Sequence, residues 1–266
     1  MPKIWFQKHT ILGRFPWLDA AYDAHFKALL PEDTIVRQQG LPGRAFADAL
    51  PVNYVEFGQA EAFFGWEFAR QSLEAERAGY DAYVIGTSQD PGLSHALSLT
   101  SIPVIGYGRQ TFSLLASQRI QFGIVGFIPA LEAPISANMR TQGVSSSCVG
   151  FEYMPGAKEV IGDALANSGD VRELVSLMDR AAEKLKARGA DVVVCGEGLE
   201  NELLWAAGVR ETGGLPVIDS NGLTVVMADA LARARAAKVW DVGANSYERR
   251  RLAPSVVRHL QEVFMP

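Results

Sequence analysis

Cysteine is almost absent from this 266-residue chain, which carries only Cys148 and Cys195. One pair cannot build a disulfide framework, and the two do not stand at a metal-ligand spacing. A disulfide-stapled scaffold and a zinc module are therefore excluded as readings, and no metal is expected. Long apolar runs are missing too. No stretch approaches the roughly 20 apolar residues that a spanning helix needs, and the opening Met1-Pro2-Lys3 enters a strand-like run without a signal peptide's apolar core. The expectation is a cytoplasmic protein with no membrane partner. Concentrated positive charge is also lacking: 25 Lys and Arg against 30 Asp and Glu give −5, and the basic residues are spread along the chain. A nucleic-acid partner would need a clustered basic face, so none is expected. The densest basic run, Arg249-Arg250-Arg251, reads as a solvated helix start.

What is present is ordinary globular composition, 48% hydrophobic, which is ample for a core. Short apolar runs alternate with longer helical patterns. Ile4, Trp5 and Phe6 lie in a buried strand that opens into the polar loop Gln7-Lys8-His9-Thr10. A helix is predicted over 18–30, a strand over 34–37, and a long helix over 59–78 with Phe63, Phe64, Phe68 and Leu73 as buried candidates. Further on, a helix starts near Pro91, a strand spans 103–106 and a helix spans 110–117. A strand over 122–126 is followed by Pro129 and Pro134, which predict a loop or a short helix start. Another strand is read over 147–152. Val171, Leu174, Val175, Met178, Ala181, Ala182 and Leu185 fall on one face of a helix over 170–188. Strands over 191–195 and 216–218 alternate with helices over 199–208 and 223–237, and a last helix is predicted over 246–264. This alternation predicts an α/β fold with parallel sheets.

The chain also repeats itself, which has to be read before function. Gly79-Tyr-Asp-Ala-Tyr-Val-Ile-Gly-Thr-Ser88 and Gly189-Ala-Asp-Val-Val-Val-Cys-Gly-Glu-Gly198 superpose without a gap. Gly86 then meets Gly196, and Thr87 meets Glu197. Ile102-Pro-Val-Ile105 echoes Leu215-Pro-Val-Ile218. Two similar halves are expected, 1–118 and 119–266, with the C-terminal helix packing back on the first. In parallel sheets, ligands sit beyond the carboxyl ends of strands. Thr87, Ser88, Gly196 and Glu197 occupy such ends, as do Gln7, His9 and Thr10.

These segments, together with Asp90-Pro-Gly-Leu93 and Leu215-Pro-Val-Ile-Asp219, resemble the aspartate/glutamate/hydantoin racemase superfamily, and the Asp-Pro-Gly-Leu segment resembles the hydantoin racemase branch. The resemblance covers nearly the whole chain. It implies two Rossmann-like halves about a pseudo-twofold axis, a site in the cleft between them, no cofactor, a small-molecule substrate and at least a homodimer. It also implies two cysteines, one on either face of the substrate carbon. Here those positions hold Thr87 and Glu197. Cys195 sits one residue before Gly196 and aligns with Ile85, so it reads as a buried strand residue; a gap would be needed to make it the family cysteine.

A carboxylate becomes a useful base near neutral pH when burial raises its pKa, whereas an unactivated hydroxyl does not. Glu197 opposite Thr87 therefore favours one-sided chemistry: proton abstraction next to a carbonyl, of isomerase or lyase type, on a small carboxylate or cyclic amide. Thr87 and Ser88 are read as donors to the developing anion. Gln7, His9, Thr10, Gln89, Tyr54, Gly196 and Gly198 are the candidate substrate contacts, and Tyr153 and Met154 are possible pocket residues. Asp219 reads as a helix cap. His25, His95 and His259 read as surface or interface residues. Three alternatives stay open: a hydrolase using water activated by Glu197, a two-base racemase using Cys195, and a non-catalytic small-molecule binding protein.

Overall fold

The computed structural model describes residues 1–46, 51–166 and 169–264. The chain begins with β1 (Lys3–Gln7), α1 (Pro16–Leu29), β2 (Ile35–Gln39), α2 (Val52–Val55) and α3 (Gly58–Arg77). It continues through β3 (Ala82–Ile85), α4 (Leu93–Leu99), β4 (Val104–Gly106) and α5 (Tyr107–Ser117). Then follow β5 (Phe122–Gly126), α6 (Glu132–Gln142), β6 (Cys148–Tyr153), α7 (Ala157–Ala166) and α8 (Arg172–Ala187). The last elements are β7 (Val192–Cys195), α9 (Gly198–Ala206), β8 (Glu211–Thr212), β9 (Leu215–Ile218), α10 (Ser220–Ala236) and α11 (Pro254–Phe264).

Among the described residues the strands form two sheets, ordered β2-β1-β3-β4 and β6-β5-β7-β9-β8. All pairings are parallel except β8 with β9. Apart from that short edge strand, the two orders are the same, so the internal repeat in the sequence is a repeat of topology. The α/β class with two parallel-dominated sheets is as the sequence predicts. The central strands β3, β5 and β7 are buried along their whole length, as parallel strands covered on both faces must be. The helix α10 follows the second sheet in sequence but packs against β1, β3, β4 and α5 of the first.

Several sequence expectations need correction. Phe63 is 77% exposed, while Phe68 on the same helix is fully buried; the inward stripe of α3 runs through Phe68, Ala69, Ser72 and Ala75, and Phe63 lies off it. Of the two outcomes expected for the prolines after β5, a loop or a short helix start, the second is found, and it runs on into a full helix. Pro129 opens a 3-10 turn and Pro134 sits in the first turn of the 11-residue α6, where a missing N–H costs nothing. The final helix starts at Pro254 rather than at 246, because a proline fits the first helical turn and not the interior. The Arg249–Arg251 run thus precedes the helix, with Arg249 closing a turn and Arg250 and Arg251 in irregular backbone. Neither α7 nor β8 was foreseen from the sequence.

Of the two readings of His25, surface or interface, the structure takes the second: it is wholly buried on α1, against the helices of the other half. Its Nδ1 lies 2.9 Å from Glu202 Oε2 and its Nε2 2.7 Å from Asp219 Oδ2. The ring stacks on Trp205 at 3.9 Å. Asp219 also caps α10 by accepting from the Gly222 amide at 3.0 Å. Burial alone would lower the imidazole pKa, but the bonds to Asp219 and Glu202 and their charges outweigh it, and the net shift is upward from 6.5.

His25→Gln leaves two carboxyl groups short of a partner, so a stability loss of about 2–4 kcal/mol is expected at pH 6 in denaturant titrations. Because the folded-state pKa of His25 is raised, its charge contributes fully below 6.5 and less as pH rises through the folded value. The gap between wild type and His25→Gln should therefore narrow with increasing pH; a constant or widening gap would contradict a charged His25.

Candidate active site

The site is built by two equivalent strand ends. Ile85 pairs with Gln7, and the next amide, Gly86 N–H, donates to Gln7 O at 2.8 Å. Cys195 pairs with Val125, and Gly196 N–H donates to Val125 O at 2.5 Å. The backbone thus repeats the gap-free superposition of the sequence, with Thr87 and Glu197 in corresponding places. The two ends are also clamped to each other. The Ser88 hydroxyl donates to the Gly196 carbonyl, and the Tyr107 hydroxyl donates to Cys195 O at 3.0 Å. A Cβ on Gly198 would stand 2.5 Å from Gly86 O, so glycine is needed for the backbones to come this close.

One cavity lies over this joint and is lined by both Thr87 and Glu197. Counted out to its open mouth, its empty space is about 640 Å³. Lys8, His9 and Thr10 from the end of β1 and Tyr22 from α1 line one side. Val52 and Val55 of α2, Ile128, Leu131 and Ile161 of α7 form apolar walls, with Lys158 beside them.

Glu197 is extended (φ −130°, ψ 140°) immediately before α9. Its carboxylate accepts from the Phe127 amide at 3.3 Å and the Ile128 amide at 3.2 Å. A Cβ on Gly126 would lie 3.2 Å from Oε2 and 3.3 Å from Oε1, so that glycine makes room for the carboxylate. Burial pushes the Glu197 pKa up to about 7, and the two amides offset this only in part. Behind it, Glu200 is wholly buried, and burial together with the Glu197 charge holds its pKa far above the carboxylate range. Burial thus favours the neutral form of Glu200, and the two carboxyls are linked, so that ionising one opposes ionising the other.

The hydroxyl protons of the opposite strand end are already engaged. Thr87 Oγ1 donates to Gln89 Oε1 at 2.6 Å, and Ser88 is committed to Gly196. Thr10 differs: its hydroxyl is buried in the cavity wall and has no hydrogen-bond partner among the described residues. The ladder of α9 begins with Asn201 N–H to Glu197 O at 3.2 Å. The amides of Gly198, Leu199 and Glu200 thus lack partners within the helix, and Gly198 and Leu199 line the cavity.

The other sequence candidates divide clearly. His9 lines the cavity but packs on Phe68 at 4.9 Å and Phe64 at 5.4 Å. Burial lowers its pKa to about 4, so it is neutral near pH 7 and offers a hydrogen bond rather than a charge. Gln89 and Gly198 line the cavity as well. Gln7 does not; it is buried below, accepting from Trp5 Nε1 at 3.4 Å and donating to Lys8 O at 3.3 Å. Ser88 and Gly196 lie in the joint and do not line the cavity. Tyr54 also falls outside the lining and packs on Phe46 at 5.0 Å. Tyr153 instead donates to Glu132 at 2.8 Å, and Met154 is core. Cys195 is fully buried at the strand end with its thiol pKa pushed well up by burial. Cys148 is half-buried, facing Gly150 O at 3.7 Å.

Sequence reasoning passed over two lysines. Lys8 is buried, with Nζ 2.7 Å from Asp19 and 2.6 Å from Gln38 Oε1, so its charge is already balanced. Lys158 makes no hydrogen bond or ion pair among the described residues and is half-buried. The strand-end position of Lys8 could have flagged it; nothing in the sequence pointed to α7. Among the described residues, no group of three or more His, Cys, Asp or Glu could hold a metal ion, and no helix is long and apolar enough to cross a membrane.

Comparison with known proteins agrees with this architecture. The chain is 25% identical over 190 residues to the hydantoin racemase of Paenarthrobacter aurescens, covering 71% of this chain and 76% of that protein. Its fold matches the allantoin racemase from Klebsiella pneumoniae with a TM-score of 0.73 at 20% identity, covering 94% and 93% of the two chains. It matches unliganded arylmalonate decarboxylase with a TM-score of 0.54 at 15% identity, covering 87% and 93%. The Asp/Glu/Hydantoin racemase family model matches residues 55–228, more than half of the chain, and the protein belongs to that family.

Proposed function

We propose that the protein is an isomerase or lyase that forms a carbanion next to a carbonyl in a small carboxylate or cyclic amide, with Glu197 as its proton carrier. The observation that carries this reading is a single carboxyl group, with a pKa of about 7, in the cavity where the two strand ends meet. At that pKa the group is present in both protonation states near neutral pH, so it can take a proton from carbon or deliver one to it. The hydantoin and allantoin racemase likenesses, and that to a decarboxylase, fit carbanion chemistry.

The substrate carbonyl or carboxylate sits against the free amides at the start of α9 and the unpartnered Thr10 hydroxyl. As negative charge grows on that oxygen, these donors stabilise it, aided by the positive end of the helix. The developing charge is thus met by donors that are already oriented. Thr87 donates to Gln89, so it presents a lone pair to the cavity and gives its proton only by releasing Gln89. Ser88, committed to Gly196, shapes the joint. Two competent carriers on opposite faces are therefore lacking, which favours one-sided proton transfer, as in isomerisation or in protonation after loss of carbon dioxide. Lys158 balances an acidic group on the substrate, and the apolar walls take its uncharged part.

Glu197→Gln should lower turnover by about 100- to 10,000-fold, whereas Cys195→Ala should stay within a few-fold of wild type. The measurement is solvent deuterium entering substrate carbon, screened over hydantoins, 2-substituted malonates, maleate-like diacids and cyclic amides. Ring opening without carbon exchange would replace this reading with hydrolysis, and a dead Cys195→Ala with a thiol mechanism. Ligand binding without turnover of any class would favour a binding protein.

If proton abstraction limits the rate, kcat/KM should rise with pH through about 7 as Glu197 ionises. If delivery of the proton limits it, the rate should fall through the same value. A profile flat from pH 5 to 9 would remove Glu197 from the chemistry.

A further inference from the structure

Behind Glu197 stands a carboxyl group that the proposed chemistry leaves unused. Glu200 is the third residue of α9, and Glu197 immediately precedes the helix. From that position a glutamate side chain reaches back over the first turn to the residue at the N-cap. Glu200 is fully buried and does not line the catalytic cavity.

Both of its carboxyl oxygens are shut off from solvent. Among the described residues no other side chain or amide donates to them, and the groups they meet are the carboxyl and the backbone amide of Glu197. The remaining titratable neighbours are the Tyr107 phenol on α5 and the Cys195 thiol at the end of β7. Neither supplies a counter-charge: Tyr107 donates to Cys195 O at 3.0 Å, and burial keeps the Cys195 thiol protonated. Ionised carboxyls only accept hydrogen bonds. Two of them in contact away from solvent cannot both ionise, and the contact is favourable only with a proton between them.

We propose that Glu200 is a positioning residue for Glu197: the two carboxyls share one proton, carried on Glu200 and donated to Glu197. This deepens the role proposed for Glu197 and rests on it. In the state ready to take a proton from carbon, the Glu200 O–H donates and the Glu197 carboxylate accepts. The Phe127 and Ile128 amides bond the same carboxylate at 3.3 Å and 3.2 Å. Three donors then hold the ionised form in place and leave its remaining lone pairs to the cavity. When Glu197 takes the substrate proton, both carboxyls are neutral, and the negative charge has passed to the substrate oxygen. Returning a proton to carbon restores the starting pair, so none is gained or lost over the cycle.

The sign of a substitution follows. Removing the donor destabilises the Glu197 carboxylate and raises its pKa, whereas an amide at position 200 keeps a donor there. Were Glu200 ionised instead, removing it would relieve repulsion and lower the Glu197 pKa.

The test is a pH titration of the full chain, labelled with carbon-13 at glutamate Cδ and followed by NMR. The Glu197 and Glu200 signals are identified by their loss in Glu197→Gln and Glu200→Gln. Wild type should show a Glu197 midpoint of about 7, with Glu200 still neutral there. Glu200→Leu should raise the Glu197 midpoint by about one unit, a roughly tenfold change in its ionisation constant. Glu200→Gln should keep it within about half a unit of wild type. The proposal is overturned if Glu200→Leu leaves the midpoint unchanged or lowers it, or if Glu200→Gln raises it as much as Glu200→Leu. Should Glu200→Leu fail to fold, the other two decide: a wild-type Glu200 signal already ionised at pH 7, or a Glu200→Gln midpoint raised by about one unit, sinks the shared proton. The titration needs no substrate, so its failure is distinct from failure of the carbanion reading, which solvent deuterium exchange decides.

Discussion

The close meeting of two glycine-bearing strand ends is the constraint on which the rest of the molecule depends. Gly198 lies against the Gly86 carbonyl at a distance that a side chain would forbid. The Ser88 hydroxyl and the Tyr107 phenol cross the same joint to carbonyls of the other strand. Two sheets of matching strand order could pack in many ways. This contact fixes one of them, and it does so where the polar ends of β3 and β7 emerge. The cavity follows, since residues after β1, β3 and β7 are delivered to one place by the fold and not by a long loop. Tyr22 adds a further tie, its hydroxyl reaching Gly198 O at 3.2 Å, and Asn221 Nδ2 donates to the same carbonyl at 2.8 Å.

Such a joint concentrates ionisable groups where water is scarce. Glu197, immediately before the nine-residue α9, and Glu200 and Glu202 within it are all buried. Each solves the problem differently. Glu202 has His25 and Asn221 as partners. Glu200 is pushed toward its neutral form by burial. Glu197 keeps access to the cavity and to two backbone amides, which leaves it balanced between its two forms. A carboxyl group in that state is costly to the fold, because ionising it in a dry site works against stability. That cost is the ordinary sign of a group retained for chemistry rather than for packing.

Much of this could be read in the sequence because the fold repeats. The glycine at each strand end and the apolar run before it fixed the register of Thr87 and Glu197, and the backbone hydrogen bonds of Gly86 and Gly196 have the same pattern. Parallel strands were legible for the same reason: they are short, apolar throughout and bounded by glycine. What was not legible came from contacts between elements far apart in the chain. His25 looks like any polar residue on an amphipathic helix until α9 and α10 are brought against it. Gln7 and Lys8 alternate on β1, and only the packing of α1 decides that Lys8 reaches the cavity while Gln7 is closed off. The walls contributed by α2 and α7 carry no motif, because apolar lining residues look like core residues in a sequence.

The duplicated architecture also accounts for the asymmetric chemistry proposed above. Two equivalent strand ends present one residue each to the same space, so the fold by itself supplies a symmetric pair of positions. The chain fills one with a carboxyl group tuned to about 7 and the other with a hydroxyl whose proton is held by Gln89. A thiol cannot restore symmetry from Cys195, because that side chain belongs to the core and burial opposes its ionisation. In the proposed reaction Glu197 then serves both as acceptor and as donor, or the second proton comes from elsewhere in the cavity. Of the groups that line it, His9 is neutral and Lys8 is tied to Asp19 and Gln38. On the proposed carbanion chemistry, this distribution of protons makes the face on which Glu197 stands the reactive one and the opposite face a place to bind rather than to exchange.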